Sequence, residues 1–327
     1  MGCRTANGYD INGFGQLKDG RGNICPVTII LPTLAMESVC QDDEDPIEYF
    51  MKLLDTRIHD AKDMLIERFE YICSQSSSSA KFMYENGTMA GYIPEEGIRS
   101  ALKHGTLAIG QLGLAETLQI LLFEDQTSEK GMALAKKIEQ LFKDRCTEFK
   151  QKYSLNFGVY YTPAENLCYT AMQKFKDKWG ELPNISDKEY FTNSIHVPVW
   201  KEISPFEKID IESQLTGYSS AGCITYIELD SAVKYNLDAV EQIINYAMDK
   251  DIPYFAINIP NDLCLDCGYT DLIDKQCPMC SGEKIQRLRR VTGYLTGDYK
   301  TAFNLGKQQE TEMRYKHSNK LTDWKES

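Results

Sequence analysis

Predicted strands and helices alternate along the middle of the chain, and this alternation limits the fold more than any other feature of the sequence. Residues 155–161 (LNFGVYY), 222–229 (GCITYIEL) and 253–259 (PYFAINI) are short apolar runs typical of buried strands. The stretches 164–180 and 237–250, which lie between them, have the periodicity of amphipathic helices. A strand-helix-strand order of this kind predicts parallel βαβ units and an α/β fold.

The first half of the chain contains patterns of the same kind. Residues 1–40 are rich in glycine and lack a helical period, which predicts a loop followed by a buried strand near Ile24–Leu31. Asp45 and Pro46 are a helix N-cap and a first helical residue, and they predict a helix that extends to about Cys73. Two further segments complete the prediction: a short extended stretch running into a helix over 104–125, and an amphipathic helix over 128–152.

The charge and the apolar pattern limit the partners and the location. The formal net charge of -12 argues against a nucleic acid or a membrane surface as partner. No apolar run reaches the ~18 residues of a membrane span, and no signal segment is visible at the N-terminus. We therefore expect a cytoplasmic protein whose eleven cysteines are core residues, metal ligands or reactive groups rather than disulfides.

Two Cys-x-x-Cys pairs, Cys264/Cys267 and Cys277/Cys280, follow the point near residue 261 where the strand-helix alternation stops. Four thiolates at this spacing are typical of a closed tetrahedral zinc site, which stabilises a segment too small for its own core. A redox-active dithiol pair and a rubredoxin-like iron site are the alternatives. The boundary predicts two domains, residues 1–260 and residues 261–327.

A glycine loop follows the cysteines, and the whole string resembles a known family. Gly293 lies within Arg-Val-Thr-Gly-Tyr (290–294), and a lone glycine by itself indicates only a turn. After a four-cysteine knuckle, however, this string resembles the radical loop of class III, anaerobic ribonucleoside-triphosphate reductases. Further segments resemble the same family: MGCRT (1–5), GRGN (20–23), ILPTLAME (30–37), LKHGTLAIGQLGLAE (102–116), TPAENLCY (162–169), YFTNSIHVPVW (190–200), ISPFEKIDIESQL (203–215) and FNLGKQQETEMRYKH (303–317). Glycyl radical enzymes of the pyruvate formate-lyase type share only the Arg-Val-x-Gly-Tyr core.

The resemblance implies radical chemistry at two residues. Gly293 would store a glycyl radical, and Cys3, at the tip of a finger loop (1–23), would carry the thiyl radical that attacks a ribonucleoside triphosphate. A partner activase that uses S-adenosylmethionine and an iron–sulfur cluster would generate the glycyl radical. The reductant would be formate or a small redoxin protein.

The resemblance also implies a fold, the second half of a ten-stranded α/β barrel with a zinc-binding and glycyl radical domain at its C-terminus. Family members are about twice as long, so we expect this chain to need an N-terminal half, and we expect a homodimer when it is complete. A split gene, a truncated sequence and a replacement part for a damaged reductase remain open. A non-catalytic, zinc-stabilised fragment that docks on a reductase is the alternative function. A nucleic-acid-binding zinc ribbon is disfavoured by the acidic charge.

Two further residues are candidate substrate ligands. Asn23 follows the finger loop and would hydrogen-bond substrate hydroxyls, although a turn asparagine with a satisfied amide is an equal alternative. His196, in Asn-Ser-Ile-His-Val-Pro, would face the substrate, although a lone histidine is more often a hydrogen-bonded core residue. The cysteines outside the pairs, apart from Cys3, are expected to pack as small apolar side chains.

Overall fold

The computed structural model of the protein describes residues 4–291, 293–296 and 298–320. Two units can be distinguished in it. The first holds the chain up to Thr162 together with Asn193–Ile195 and Leu215–Cys223. The second holds Pro163–Thr192, His196–Gln214 and the chain from Ile224 onward.

The first unit is a parallel sheet covered by helices. In chain order its elements are β1 (Asn23–Ile30), α1 (Leu31–Val39), α2 (Pro46–Cys73), α3 (Lys81–Glu85), α4 (Arg99–Leu102), β2 (Thr106–Leu112), α5 (Leu114–Leu122), α6 (Glu129–Tyr153) and β3 (Asn156–Tyr160), with 3₁₀ turns at Ser77–Ala80 and Pro94–Glu96. The strands pair in the order β1-β2-β3, and both pairings are parallel. Parallel pairing, which the alternation predicted for residues 155–259, thus also occurs in the first part of the chain.

Apolar side chains at regular spacing explain why the helices pack on this sheet. Strand β2 is buried at every position, as a central strand covered on both faces must be. Helix α2 turns one stripe inward, and Phe50, Leu54 and Ile58 on it are completely buried. Its first turn is capped as predicted, because the Asp45 carboxylate accepts hydrogen bonds from the amides of Ile47 and Glu48.

A row of polar residues marks the edge at which these three strands begin. The register places Asn23 of β1 opposite Thr106 of β2, and Thr106 opposite Asn156 of β3. All three side chains are buried. Strand β1 then bulges, because the register shifts between Ile24 and Val27.

The second unit contains a parallel strand pair and an antiparallel sheet. From Pro163 onward the elements are α7 (Leu167–Trp179), α8 (Pro205–Thr216), β4 (Thr225–Glu228), α9 (Leu237–Asp249), β5 (Phe255–Asn258), β6 (Asn261–Cys264), β7 (Thr270–Asp271), β8 (Ile285–Val291), β9 (Tyr294–Thr296), α10 (Tyr299–Ala302) and α11 (Leu305–Glu312), with 3₁₀ turns at Ser231–Tyr235 and His317–Lys320. Strands β4 and β5 are parallel, and β7-β6-β8-β9 pair antiparallel in that order. Phe206, Ile227 and Ile243 belong to the apolar core beneath β4 and β5.

Two local expectations differ from the structure. The residue pattern of 1–40 predicted only a loop and a strand, although ILPTLAME (30–37) resembles the end of the family's strand and the helix after it. Helix α1 follows β1 directly, with Pro32 in its first turn and Leu34 and Ala35 buried. The helix expected over 164–180 begins only at Leu167, because Ala164 has a left-handed backbone with φ of 45°.

Candidate functional site

The four paired cysteines come together at one end of the antiparallel sheet. The Sγ atoms of Cys264 and Cys280 are 3.6 Å apart, and those of Cys267 and Cys277 are also 3.6 Å apart. All four sulfurs lie within 4.8 Å of one another. A zinc ion with Zn–S bonds of about 2.3 Å in a tetrahedron needs sulfurs about 3.8 Å apart, so the thiols fit such an ion.

Both cysteine pairs are built on the same turn. The amide of Gly268 donates to the carbonyl of Cys264 at 2.9 Å, and the amide of Ser281 donates to the carbonyl of Cys277 at 2.8 Å. Gly268 and Ser281 stand four residues after the first cysteine of each pair, and both have a left-handed backbone, with φ of 78° and 60°. This repeated turn brings the two sulfurs of each pair to the same side of the chain.

Little apolar surface supports the cluster. The buried members of its core are Cys264, Cys277 and Ile273, against which Tyr269 and Ile285 pack in part. Such a small core would not fold the segment by itself, and a metal bound by four thiolates would supply the missing stabilisation. The residues present therefore fit a structural zinc ion, as the spacing predicted.

Gly293 lies in a tight connection on the same sheet. Strands β8 and β9 pair up to Val291 and Tyr294, so only residues 292 and 293 join them. Gly293 is in a turn and is exposed, while Val291 before it is completely buried.

A buried carboxylate fixes the base of this hairpin. Asp262, in β6, has a completely buried side chain that accepts hydrogen bonds from the amide of Ile273 at 3.0 Å and from Nη2 of Arg289 at 3.1 Å. Nη1 of Arg287 lies 3.4 Å from the same carboxylate. Asp262 thus ties the zinc loop and strand β8 together through charge-assisted hydrogen bonds.

The predicted finger loop is described only from Arg4 onward, and Cys3 lies outside the described residues. The amide of Ala6 donates to the carbonyl of Ala221 at 2.9 Å. A Cβ atom on the neighbouring Gly222 would lie 1.7 Å from the carbonyl oxygen of Arg4. This close approach of two backbones therefore requires glycine at position 222.

Asn23 is buried beside this contact between the finger loop and Ala221. Its Nδ2 donates to the carbonyl of Ala221 at 2.9 Å, the same carbonyl that accepts from Ala6. Its Oδ1 is buried and has no hydrogen-bond partner among the described residues. A buried amide oxygen in that state can accept a hydrogen bond from a bound ligand or from a water molecule.

A second contact holds the finger loop at the polar edge of the sheet. The buried carboxylate of Asp10 accepts from Nδ2 of Asn156 at 2.6 Å, contacts Nδ1 of His104 at 2.7 Å and accepts from the amide of Phe14 at 2.9 Å. Although desolvation raises the pKa of Asp10, these hydrogen bonds together lower it to about 2. Asp10 is therefore ionised at neutral pH.

His196 lies in a buried charge network. Its Nδ1 is 3.3 Å from Oε1 of Glu212, which also accepts from the amide of Val197 at 3.1 Å. Burial alone would raise the pKa of Glu212, but Lys208 and His196 lower it to about 2. The contacts of His196 agree with a structural histidine, and its predicted role as a substrate ligand stays a prediction.

Sequence and structure comparisons identify the relatives of this chain. The sequence profile of the family described as anaerobic ribonucleoside-triphosphate reductase matches residues 1–317. The chain belongs to this family. The anaerobic ribonucleoside-triphosphate reductase of Haemophilus influenzae is 32% identical to it over 97% of the chain. That alignment covers 46% of the relative, so the chain spans about half the length of this curated relative.

Solved structures show the fold of the reductase family. An anaerobic ribonucleotide reductase superposes with a TM-score of 0.73 at 22% identity, covering 91% of this chain and 45% of that protein. The glycerol-bound B12-independent glycerol dehydratase of Clostridium butyricum superposes with a TM-score of 0.54 at 12% identity, covering 89% and 43%. The predicted fold class, that of the glycyl radical enzyme barrel with a C-terminal four-cysteine knuckle, is confirmed.

Little in the sequence indicated the importance of two charged residues: Asp10, which anchors the finger loop, and Asp262, which anchors the Gly293 hairpin. Each residue stands in a loop or a short strand, where the spacing of apolar residues does not indicate which side chains are buried. An isolated acidic residue beside Asn261 at the domain boundary was the only sequence signal for Asp262.

Among the described residues, no helix is both long and apolar enough to cross a membrane.

Proposed function

We propose that this chain carries the radical-bearing part of an anaerobic ribonucleoside-triphosphate reductase, which reduces ribonucleotides to 2′-deoxyribonucleotides. The observation that carries the proposal is an exposed glycine, Gly293, in a two-residue hairpin turn mounted on a four-thiol metal site, in a chain of this family. Residues 1–260 would form the half-barrel with the finger loop, and residues 261–327 the zinc-binding and glycyl radical domain.

The chemistry needs two hydrogen-atom transfers before water leaves. The Cα radical of Gly293 takes the hydrogen atom of the Cys3 thiol, which leaves a Cys3 thiyl radical and an intact glycine. The thiyl radical takes the 3′-hydrogen atom of the ribonucleotide and becomes a thiol again. The 2′-hydroxyl then leaves with one proton as water.

The remaining steps balance the electrons. Formate, oxidised to CO₂, or the dithiol of a small redoxin, oxidised to a disulfide, supplies the two electrons for the deoxygenated ribose. Cys3 returns its hydrogen atom to C3′, which regenerates the thiyl radical, and Gly293 recovers the radical from it.

Glycine suits the storage step for a physical reason. Its Cα has no side chain to obstruct a planar centre, so the unpaired electron is shared with the flanking amide nitrogen and carbonyl. An exposed turn leaves this carbon accessible to the partner activase, which uses S-adenosylmethionine and an iron–sulfur cluster. A closed four-thiolate zinc site has no open coordination position, so its part is to fold the segment that bears Gly293.

Asn23 and His196 are proposed substrate ligands. The buried, unpaired Oδ1 of Asn23 supports this role because it is an acceptor for a ribose hydroxyl. The support for His196 is weaker because Glu212 engages its Nδ1. We further propose that the reductase acts in the cytoplasm, needs an N-terminal half and works as a homodimer.

Electron spin resonance tests the proposal directly. The zinc-loaded chain, supplied with the N-terminal half and the activase under anaerobic conditions, should give a doublet from a glycyl radical coupled to its α-hydrogen. Chain labelled with glycine deuterated at Cα should give a singlet instead. Exposure of the activated chain to air should cleave the backbone at residue 293.

A matched glycine serves as the control. Gly293→Ala should abolish the signal and ribonucleotide reduction, whereas Gly217→Ala should leave both unchanged. Gly217 is exposed, and an added Cβ there would meet no atom within 4 Å. A fully zinc-loaded chain that gives neither signal nor turnover would contradict the proposal and favour the non-catalytic fragment.

A further inference from the structure

Arg314 is a buried cation that follows α11, and it contacts three separate parts of the second unit. Only 7% of its side chain is exposed. Nη1 donates to the backbone carbonyl of Arg290 at 2.7 Å, Nη2 donates to Oε1 of Glu310 at 3.2 Å, and Nε lies 3.6 Å from Oε1 of Glu228. One guanidinium therefore joins strand β8, helix α11 and the end of strand β4.

Each of the three partners of Arg314 is fixed by its own surroundings. Glu228 accepts a hydrogen bond from Nδ2 of Asn258, the last residue of β5, at 2.7 Å. Glu310 forms an ion pair with Lys307, whose side chain is completely buried. Arg290 is paired with Leu295 across the hairpin. The guanidinium thus links two rigid positions to the strand that leads into the turn.

The contact with Arg290 falls on the backbone, three residues before Gly293. A hydrogen bond to this carbonyl fixes the path of the main chain rather than one side chain. The ring of Tyr226, in β4, lies 5.1 Å from the guanidinium carbon of Arg290 and supports the same strand. The hairpin is therefore attached to β4 both through the backbone and through a side chain.

We propose that Arg314 is the positioning residue of the Gly293 hairpin. Its planar fork of N–H donors serves the carbonyl of Arg290 and the carboxylate of Glu310 at the same time, within ion-pair distance of Glu228, which the single ammonium group of a lysine cannot do with the same geometry. Charge-assisted hydrogen bonds of this kind are stronger than neutral ones. The residue acts through the backbone of β8, and it is assigned no contact with substrate.

Hydrogen exchange on the zinc-loaded chain tests this inference without any radical chemistry. In Arg314→Gln, the amides of residues 285–291 should exchange about 10–100-fold faster, because a buried charge-assisted hydrogen bond is lost. Arg314→Lys should give a smaller increase, since it retains the charge between the two carboxylates. Lys300→Gln, which removes an exposed cation of the same segment, should exchange like the wild type.

The pattern of exchange decides between positioning and general stability. Zinc content and the exchange of β5 and α9 should stay at the wild-type level in both Arg314 variants. Unchanged exchange over 285–291 would overturn the inference, and so would an equal increase across β5 and α9. If Arg314→Gln does not fold, Arg314→Lys decides by the same criteria.

A kinetic measurement extends the test and rests on the proposed function. In the activated and complemented reductase, Arg314→Lys should lower kcat and leave KM for the ribonucleotide unchanged, because the radical is delivered less often while the substrate binds as before. A wild-type chain without a glycyl signal would defeat the proposed function alone. The exchange result would still decide the role of Arg314.

Discussion

The parallel sheet of β1, β2 and β3 and the antiparallel sheet of β6 to β9 are stabilised by different forces. The first is covered by helices, and its central strand is buried at every position. The second surrounds a core of Cys264, Ile273 and Cys277, and is braced by the carboxylate of Asp262. Apolar burial stabilises the first sheet, whereas directed polar contacts and, as we propose, a zinc ion bound by the four thiolates stabilise the second.

This difference shows which sheet is sensitive to its conditions. The stability of a sheet held by apolar burial does not depend on the metal concentration, and it is spread over many contacts rather than resting on one. A sheet that depends on four thiolates and a few charged groups should unfold when one of the thiolates is removed. The same directed contacts hold its backbone in one defined position. Such a sheet suits a hairpin whose one glycine must be placed accurately.

Loss of the metal should give the largest difference in stability between the two sheets. We expect Cys277→Ser, or chelation of the wild type, to unfold residues 261–291, since structural zinc is worth about 10 kcal/mol or more of apparent folding energy. Elemental analysis should find one zinc per wild-type chain and none in the variant. Hydrogen exchange should show protection lost over 261–291 and kept in β2.

Cys40 supplies the control for this experiment because it is exposed and lies outside the cluster. Cys40→Ser should keep both the zinc and the protection. A zinc-free Cys277→Ser chain that protects residues 261–291 as well as the wild type does would show that the metal is dispensable for this sheet.

A core truncation should produce the opposite pattern. Phe142, on α6, is completely buried, so Phe142→Ala should lower the free energy of unfolding of the first unit by about 3–5 kcal/mol. Urea titration followed by hydrogen exchange in β2 and β3 measures this loss. The zinc content should not change.

Phe82→Ala is the matched control, since 69% of that residue is exposed. It should shift the urea midpoint little. Equal losses in the two variants, or release of zinc by Phe142→Ala, would contradict the separation between the two sheets.

A buried acid in the first unit predicts the smallest of these effects. Glu139, on α6, is completely buried and accepts a hydrogen bond from Nε2 of Gln111 at 2.8 Å. Desolvation raises its pKa from 4.5 to about 7, against the opposing hydrogen bonds of Tyr161 and Gln111. The folded protein therefore holds this proton over a range in which the unfolded chain has released it.

The sign of the pH effect follows from this proton. The stability that Glu139 provides is complete below pH 4.5, falls as the pH rises towards 7, and is then constant at a level lower by about 3 kcal/mol. Glu139→Gln should remove this fall from the pH profile of the free energy of unfolding, measured between pH 5 and 8, near the ends of this window. Glu129→Gln, an exposed change on the same helix, should keep it. Profiles of Glu139→Gln and wild type that run parallel would refute the assignment.

Much of the fold was predictable because its signals are local. Asp45 and Pro46 marked the start of α2, and the apolar run over 155–161 marked β3. The spacing of the cysteines predicted one cluster, because two short turns of the same kind close on one centre. The apolar pattern alone did not reveal helix α1, because its nine residues follow β1 without a separating loop.

The anchors of the candidate site were not predictable, because they depend on contacts between residues far apart in the chain. Asn23 meets Ala221, Asp10 meets Asn156, and Arg314 meets Arg290. Each of these residues is a polar side chain of ordinary appearance in its own segment. Only the folded chain shows that these charged groups and amides are buried and that they bond to residues far away in the sequence. The roles of Gly293, Cys3 and His196 remain predictions.

The two-residue connection between Val291 and Tyr294 limits how this part of the gene can change. One codon inserted or deleted there would shift the pairing of β8 with β9 and reverse which side chains of β9 face each surface. In the longer stretch between Cys267 and Cys277, the pairing of β7 with β6 and the hydrogen bond of Ile273 to Asp262 fix the first residues, so the looser constraint applies to the part that follows Ile273. Length variation among natural versions of this protein should therefore accumulate inside the knuckle and be absent beside residue 293.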